Sequence, residues 1–168
     1  RAWSLLVETL VKRGKSSEAV LVGKTALEIC GPTPKLSLSV ARAYLGVGAP
    51  ASAVEHARRA ATASDVGTIV LARALALSST GTPSGGEIDA YRAALRVVPQ
   101  NSVIARALAI RAFAAGKRDL ESLTDCERAA ALLPDDIQGR FAAGAVAFSL
   151  YKQVIKGRDA VADDHASR

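Results

Sequence analysis

Apolar residues recur along this chain at helical spacing, in short runs separated by turns that are rich in glycine and proline. In the first run, Trp3, Val7 and Leu10 share one face of a helix. Gly14 then provides a left-handed cap. By the same rules the pattern predicts helices over 2–12, 17–30, 35–45, 52–63, 68–78, 86–98, 102–115 and 120–133, and a long final helix from 137 that Asp135 or Asp136 caps.

The predicted helices recur in phase. Gly14 and Gly48 are 34 residues apart, and so are Ala19 and Ala53. A fixed period of this length is typical of stacked helical repeats. The register slips by one residue in the fourth unit and fades after Ser149. The resulting units are 1–33, 34–67, 68–101, 102–136 and 137–162, followed by a polar tail over 163–168.

One segment carries the spacing of a known family. In 87–99, the aromatic Tyr91 is followed by the small Ala94 and then by Pro99. The next unit keeps that spacing with Cys126 in the aromatic position and Ala129 in the small one. The chain therefore resembles the tetratricopeptide repeat (TPR) family. The resemblance implies an all-α fold, a right-handed superhelical α-solenoid of antiparallel helix pairs, with about four pairs plus a terminal helix in a single domain over 1–162.

The same resemblance implies a binding groove, because the first helices of TPR units line the concave face. Its family positions map onto a mixed set of charged and apolar residues. The expected partner-binding residues are Glu8, Leu38, Arg42, Leu45, Arg106, Ile110, Phe113, Phe141 and Phe148.

Two interpretations of the apolar groove residues are open. Ile110, Phe113, Phe141 and Phe148 either belong to the inter-helix core or lie under helices outside this sequence. Alternatively, they form an exposed trough for the apolar face of a partner helix or peptide. In the second case Arg42 and Arg106 would pair with partner carboxylates.

Composition limits the class of protein. Nearly half of the residues are apolar, aromatic residues make up only 4%, and no run is long enough to cross a bilayer, which favours closely packed helices. The net charge of +6 favours acidic partners. The chain opens on Arg1 without any Met, so we expect a fragment of a longer protein. It shows no signal-peptide pattern, and we expect a cytoplasmic location.

The sequence shows no recognisable catalytic or metal-binding constellation. Gly14-Lys15-Ser16 lacks the upstream glycine and the preceding strand of a P-loop. His56 is expected on a solvated helix face, and Cys30 and Cys126 are expected to be buried free thiols, with a disulfide or a reactive thiol as the alternatives. We expect no enzyme, no cofactor and no small-molecule substrate.

The function predicted from these features is a protein–protein interaction scaffold within a larger protein or complex. Its partner would be a protein or peptide with an apolar face and acidic residues. One alternative is a docking or regulatory arm of a catalytic domain outside this sequence. A second is nucleic-acid binding by a helical-repeat array, which the scarcity of recurring aromatic or paired recognition residues disfavours.

Overall fold

The chain folds entirely into helices over the residues that the computed structural model describes, which are 2–78 and 81–166, with side chains up to residue 156. Within that part of the chain there are nine helices and no strand, so the all-α prediction is confirmed. The helices are α1 (Ala2–Lys12), α2 (Ser16–Cys30), α3 (Pro34–Gly46), α4 (Pro50–Ala61), α5 (Asp65–Ser78), α6 (Gly85–Val97), α7 (Ser102–Ala114), α8 (Leu120–Leu132) and α9 (Ile137–Ala166).

Side-chain caps fix where the first helix of each later unit begins. A capping oxygen accepts a hydrogen bond from the backbone N–H three residues on, at 3.0–3.3 Å, at Thr33, Ser64, Asn101 and Asp136. Of the two aspartates predicted to cap the last helix, Asp136 makes the bond. Ser64 was missed, and it explains why α5 begins at Asp65 and not at residue 68.

The turns inside three helix pairs share one conformation. Gly14, Gly48 and Gly116 have φ angles of 76°, 72° and 73°, in the left-handed region that favours glycine. In each turn the following N–H donates to the carbonyl five residues earlier, at 2.9–3.1 Å, which closes the helix end. Gly116 is twice 34 residues after Gly48 and so keeps the phase of the repeat, whereas Cys126 is 35 residues after its counterpart Tyr91. The extra residue of the fourth unit therefore lies between Gly116 and Cys126.

Small residues permit the close helix contacts. Ala19, Ala53 and Ala60 are fully or almost fully buried. At Gly67 in α5, an added Cβ would lie on the backbone carbonyl group of Ala60 in α4, and at Gly23 it would come within 2.7 Å of a Val40 methyl group. Backbone approach this close leaves no room for a larger side chain.

Glu87 replaces the small residue that the repeat predicts, and it is buried. Its Oε1 accepts a hydrogen bond from Tyr91 Oη at 3.1 Å, one helical turn away in α6. A buried carboxylate is tolerated when its oxygens have partners, so this pair accommodates the departure from the repeat.

Contacts group the helices into two compact units, one with α1–α6 and the other with α7–α9. In the first unit Val7, Leu36 and Val40 anchor the core together with buried alanines. In the second, Leu108, Cys126 and Val146 are completely buried. The assignment of 1–162 to a single domain stays a prediction.

The last helix is longer than the repeat predicts. Its backbone is helical to Ala166, beyond the expected end at 162, while residues 167 and 168 of the predicted tail lie outside the described residues. None of the helices in the described part of the chain combines the length and the apolar character needed to cross a membrane.

Two sequence predictions about single side chains are wrong in part. Cys30 and Cys126 are both free, but Cys30 at the end of α2 is exposed and only Cys126 is buried. His56 does not lie on a fully solvated face: it is half-buried and stacks on Tyr44, with ring centroids 5.5 Å apart and planes 9° apart.

Candidate partner-binding site

Within the second unit, α7 and α9 enclose an open apolar cavity of about 330 Å³. Its lining consists of Ile110, Phe113, Ile137, Gln138, Phe141 and Ala142. Three of the nine predicted groove residues (Ile110, Phe113 and Phe141) therefore meet at one place. Both helices are first helices of their units, as the resemblance implied.

The two aromatic rings of the cavity are in contact. Phe113 and Phe141 form an edge-to-face pair with centroids 5.8 Å apart. The Arg118 guanidinium lies over the Phe113 ring, 4.3 Å from its centroid, and donates to the Phe113 carbonyl at 3.0 Å. These contacts hold Phe113 in place while Phe141 presents most of its ring outward.

Exposure distinguishes the members of the predicted trough. Phe141 is 66% exposed and Phe148 is 59% exposed, whereas Ile110 and Phe113 are half-buried. Phe141 and Phe148 are therefore not part of the inter-helix core of this unit. An exposed aromatic ring next to an apolar cavity, such as Phe141, is typical of an interaction surface, whereas Phe148 lies outside the cavity lining.

Arg106 has partners within its own unit. Its Nε donates to Asp136 Oδ2 at 3.0 Å, and its Nη2 donates to Gln138 Oε1 at 2.7 Å. Asp136 also caps α9 through Gly139 N–H. Arg106 thus links α7 to the start of α9. Its charge is already paired and is not free to bind a partner carboxylate.

The first unit contains a second, more polar depression of about 530 Å³ among α1, α3 and α5. Its lining consists of Val11, Arg42, Leu45, Gly46, Val66, Ile69, Val70 and Arg73. Of the predicted groove residues, Leu45 and Arg42 line it. Leu38 is half-buried in α3 and lies outside the lining.

Arg42, which lines this depression, forms an ion pair with Glu8 of α1. Arg42 Nη1 donates to Glu8 Oε1 at 2.8 Å, and both side chains are about one-third exposed or less, at 35% and 27%. Arg42, like Arg106, therefore already has a carboxylate partner within the chain and is not open to a partner carboxylate as expected.

The predicted set of groove residues lacks Ile137, Gln138 and Ala142 of the cavity lining, and Arg118, which contacts Phe113. Ile137 is 81% exposed and lines the cavity, and Arg118 supports Phe113 from the turn before α8. A signal for Ile137 existed, because it stands one helical turn before Phe141 on the same face. Arg118 had none, since the turn conformation alone brings it to the ring.

Reactive chemistry is sparse in the described residues, where no group of three or more His, Cys, Asp or Glu could hold a metal ion. Burial raises the pKa of the Cys126 thiol to about 11, with the Asp125 carboxylate adding to the effect. A thiol with a raised pKa is a poor nucleophile.

The fold and the cavities define an all-helical repeat protein with an exposed apolar surface. Among solved structures, the chain is similar to "MamA D159K mutant 1", with 20% identity, coverage of 95% of this chain and 90% of that chain, and a TM-score of 0.67. It is also similar to "Crystal structure of MamA", with 16% identity, coverage of 90% and 96%, and a TM-score of 0.61. A third similar structure, "MamA D159K mutant 2", has 18% identity, coverage of 95% and 87%, and a TM-score of 0.65.

At this level of identity the likeness shows the fold alone. No protein-family model matches the chain, and no curated protein matches it either. The shared fold supports the assignment of helical repeats. The choice of TPR among helical-repeat families rests on the residue spacing described above.

Proposed function

We propose that this chain is a protein-interaction scaffold of the TPR type, which binds a partner peptide or helix at the α7–α9 cavity. The observation that carries the proposal is the exposed Phe141 ring beside the cavity formed with Ile110 and Phe113. Covering one such side chain contributes roughly 1.5–3 kcal/mol before the costs of association, so a few anchors would suffice for measurable binding.

Apolar contact and not ion pairing supplies most of the affinity in this proposal. Arg106 and Arg42 already have carboxylate partners within the chain. A partner carboxylate would have to displace Asp136 or Glu8, with little net gain. The positive net charge would still increase the rate of encounter with acidic partners.

The proposal also covers the alternative of a docking arm for a catalytic domain outside this sequence. Both roles use the same groove, and they differ only in the sequence to which the repeats are attached. The proposal includes no catalytic step.

The test is selection of peptides from a displayed library on the full chain, followed by affinity measurements with two variants. Phe113→Ala and Phe141→Ala should each weaken binding about tenfold, which corresponds to about 1.4 kcal/mol. Leu120→Ala is the matched control, because Leu120 is also apolar and 73% exposed but begins α8. Arg106→Glu is a poor probe, since it would place a carboxylate against Asp136 and loosen the start of α9.

Two results would overturn the proposal. If no peptide is enriched, the proposed interaction function is wrong. If both phenylalanine variants bind as tightly as the parent chain, the proposed binding site is wrong. Circular dichroism of Phe141→Ala should match that of the parent chain, because Phe141 is mostly exposed. The same measurement checks that the half-buried Phe113 can be replaced without loss of helix.

A further inference from the structure

The exposed surface of α9 carries an apolar line that continues well beyond the cavity. Ile137, Phe141, Phe148 and Tyr151 are between 59% and 81% exposed, and Ile155 is 37% exposed. With Gly144 they follow one another at intervals of four and three residues. The complete line is Ile137, Phe141, Gly144, Phe148, Tyr151 and Ile155.

Alternating intervals of three and four residues are the spacing of a helix that packs along another helix. The line runs for 18 residues, or roughly 27 Å at the rise of an α-helix. The opposite face of α9 carries the buried Ala142 and Val146, so the line is a second face of the same helix, largely exposed, on which Phe141 contacts Phe113. An added Cβ at Gly144 would meet no atom within 4 Å, so the line is open to solvent at this position.

We infer that this line binds an amphipathic partner helix whose apolar stripe is flanked by acidic residues. The inference rests on the proposed function, and it specifies the conformation and the charge of the partner. It also extends the contact surface from the cavity to Ile155.

Backbone hydrogen bonding favours a helix over an extended peptide. The N–H and C=O groups in the body of α9 bond within the helix, so α9 offers a strand no backbone partners. An extended segment pressed on this apolar line would leave its own polar groups desolvated and unpaired, which opposes binding. A helix satisfies those groups internally and presents only side chains.

The charges along the 137–156 stretch of α9 favour an acidic partner. Between residues 137 and 156 the chain has Arg140, Lys152 and Lys156 but neither Asp nor Glu. Lys152 Nζ lies 4.7 Å from the centroid of the Phe148 ring, so its charge is at the edge of the apolar line. Acidic residues beside the stripe of a partner helix would reach these cations, as flanking charges do in coiled coils.

The same charges disfavour a second copy of this chain. Two copies packed along this line would bring Arg140, Lys152 and Lys156 to the flanks, and the 137–156 stretch offers these cations no carboxylate. Like charges that face each other across an interface oppose association.

The test uses two synthetic 21-residue helical peptides with leucines at the same alternating spacing. One has glutamates at the flanking positions, and the other has lysines there. By fluorescence anisotropy with the full chain, the glutamate peptide should bind at least about tenfold more tightly than the lysine peptide. The difference should shrink as NaCl rises from about 0.05 M to about 0.5 M, because these charges are exposed.

Variants locate the peptide on α9. Tyr151→Glu and Ile155→Glu should each weaken binding of the glutamate peptide about tenfold, through the loss of an apolar contact and the gain of a like charge. Leu120→Glu, the same kind of change at an exposed apolar residue of α8, should leave binding unchanged. All three positions are exposed, and circular dichroism checks that the helices remain.

Several outcomes would overturn the inference. They are equal binding of the two peptides, a loss in the α9 variants no greater than in Leu120→Glu, or a dimer in sedimentation equilibrium that Tyr151→Glu dissociates. Suppose that the alanine variants of Phe113 and Phe141 weaken binding of the library peptides, while the glutamate variants of Tyr151 and Ile155 leave binding of the glutamate peptide unchanged. The inference then fails and the proposed function stands. If neither pair of variants weakens binding of the corresponding peptide, both the inference and the proposed function fail.

Discussion

Arg42 Nη1 donates a hydrogen bond to Glu8 Oε1 at 2.8 Å, and the two residues are 34 positions apart. They occupy the same place in two successive first helices, α1 and α3. The repeat therefore brings equivalent positions together, and the residue types at those positions decide the contact. At the next two equivalent positions the chain has Ala76 and Ile110, so the charged pair is confined to the first two units.

We expect a modest coupling between Glu8 and Arg42. Because both side chains are partly exposed, solvent screens the pair, and a double-mutant cycle with Glu8→Gln and Arg42→Gln should give about 0.5–1 kcal/mol. Urea unfolding at low and high salt measures it. The more exposed pair of Lys15 and Glu18 is the matched control and should give less. A coupling above about 2 kcal/mol would contradict the partly solvated geometry.

Two glycine substitutions should have opposite effects on stability. Gly67→Ala should lower the free energy of unfolding by about 1–3 kcal/mol, because its Cβ would overlap the Ala60 carbonyl group. Gly144→Ala should raise it by about 0.5–1 kcal/mol, since its Cβ meets open space and alanine is the better helix former. Thermal or urea unfolding compares the two variants, and a destabilising Gly144→Ala would mean that α9 is packed differently.

The His56 imidazole should titrate below its ordinary pKa of 6.5. Burial lowers its pKa, against an opposing effect of the Glu55 carboxylate, and its Nδ1 is buried without a hydrogen-bond partner among the described residues. The unfolded chain then binds the proton first as pH falls, so this residue lowers stability on acidification through 6.5. NMR titration should show the pKa of His56 rising in Tyr44→Ala, which uncovers the ring. An unchanged pKa would exclude Tyr44 as the cause of burial.

The two thiols should differ in reactivity. Cys30 is exposed and should react readily with a thiol reagent in the native protein, whereas Cys126 should react only after unfolding. Labelling with and without denaturant, read by mass spectrometry, distinguishes the two residues. Rapid labelling of Cys126 in the native chain would contradict its burial.

Cys126 should also make stability depend on alkaline pH. Its pKa is raised from 9.0 to about 11, so between these values the unfolded chain releases a proton that the native chain retains. Stability should therefore fall as pH rises from 9 towards 11. In Cys126→Ala that slope should be smaller, whatever the stability at neutral pH.

Local rules account for most of the helices and turns. The α1 helix begins and ends where the apolar pattern placed it, and Gly14 has the left-handed φ that its cap requires. Both features depend on neighbours within a few residues, which a sequence displays directly. The apolar pattern alone predicts the start of α5 three residues late, because it takes no account of the Ser64 cap, although Ser64-Asp65 is an ordinary helix start.

The candidate site was predictable only in part. The repeat register indicated that Ile110, Phe113 and Phe141 belong to the first helices that line a groove, and the structure brings these three residues to one cavity. Their role in binding stays a prediction. The register did not indicate Ile137, because helix-start rules treat the first residue of α9 as a boundary and not as a contact.

The sequence by itself determined the helical repeat, the positions of its turns and the family that it resembles, because these follow from periodicity and from the backbone preferences of glycine and proline. Only the tertiary structure decided which polar side chains find hydrogen-bond partners within the chain and which apolar side chains remain exposed to solvent. Arg42 and Arg106 find internal carboxylates, and Glu87 finds Tyr91, whereas Phe141 and Phe148 remain exposed. Such pairings join residues of different helices or depend on burial, and a few ångströms of helix placement determine them.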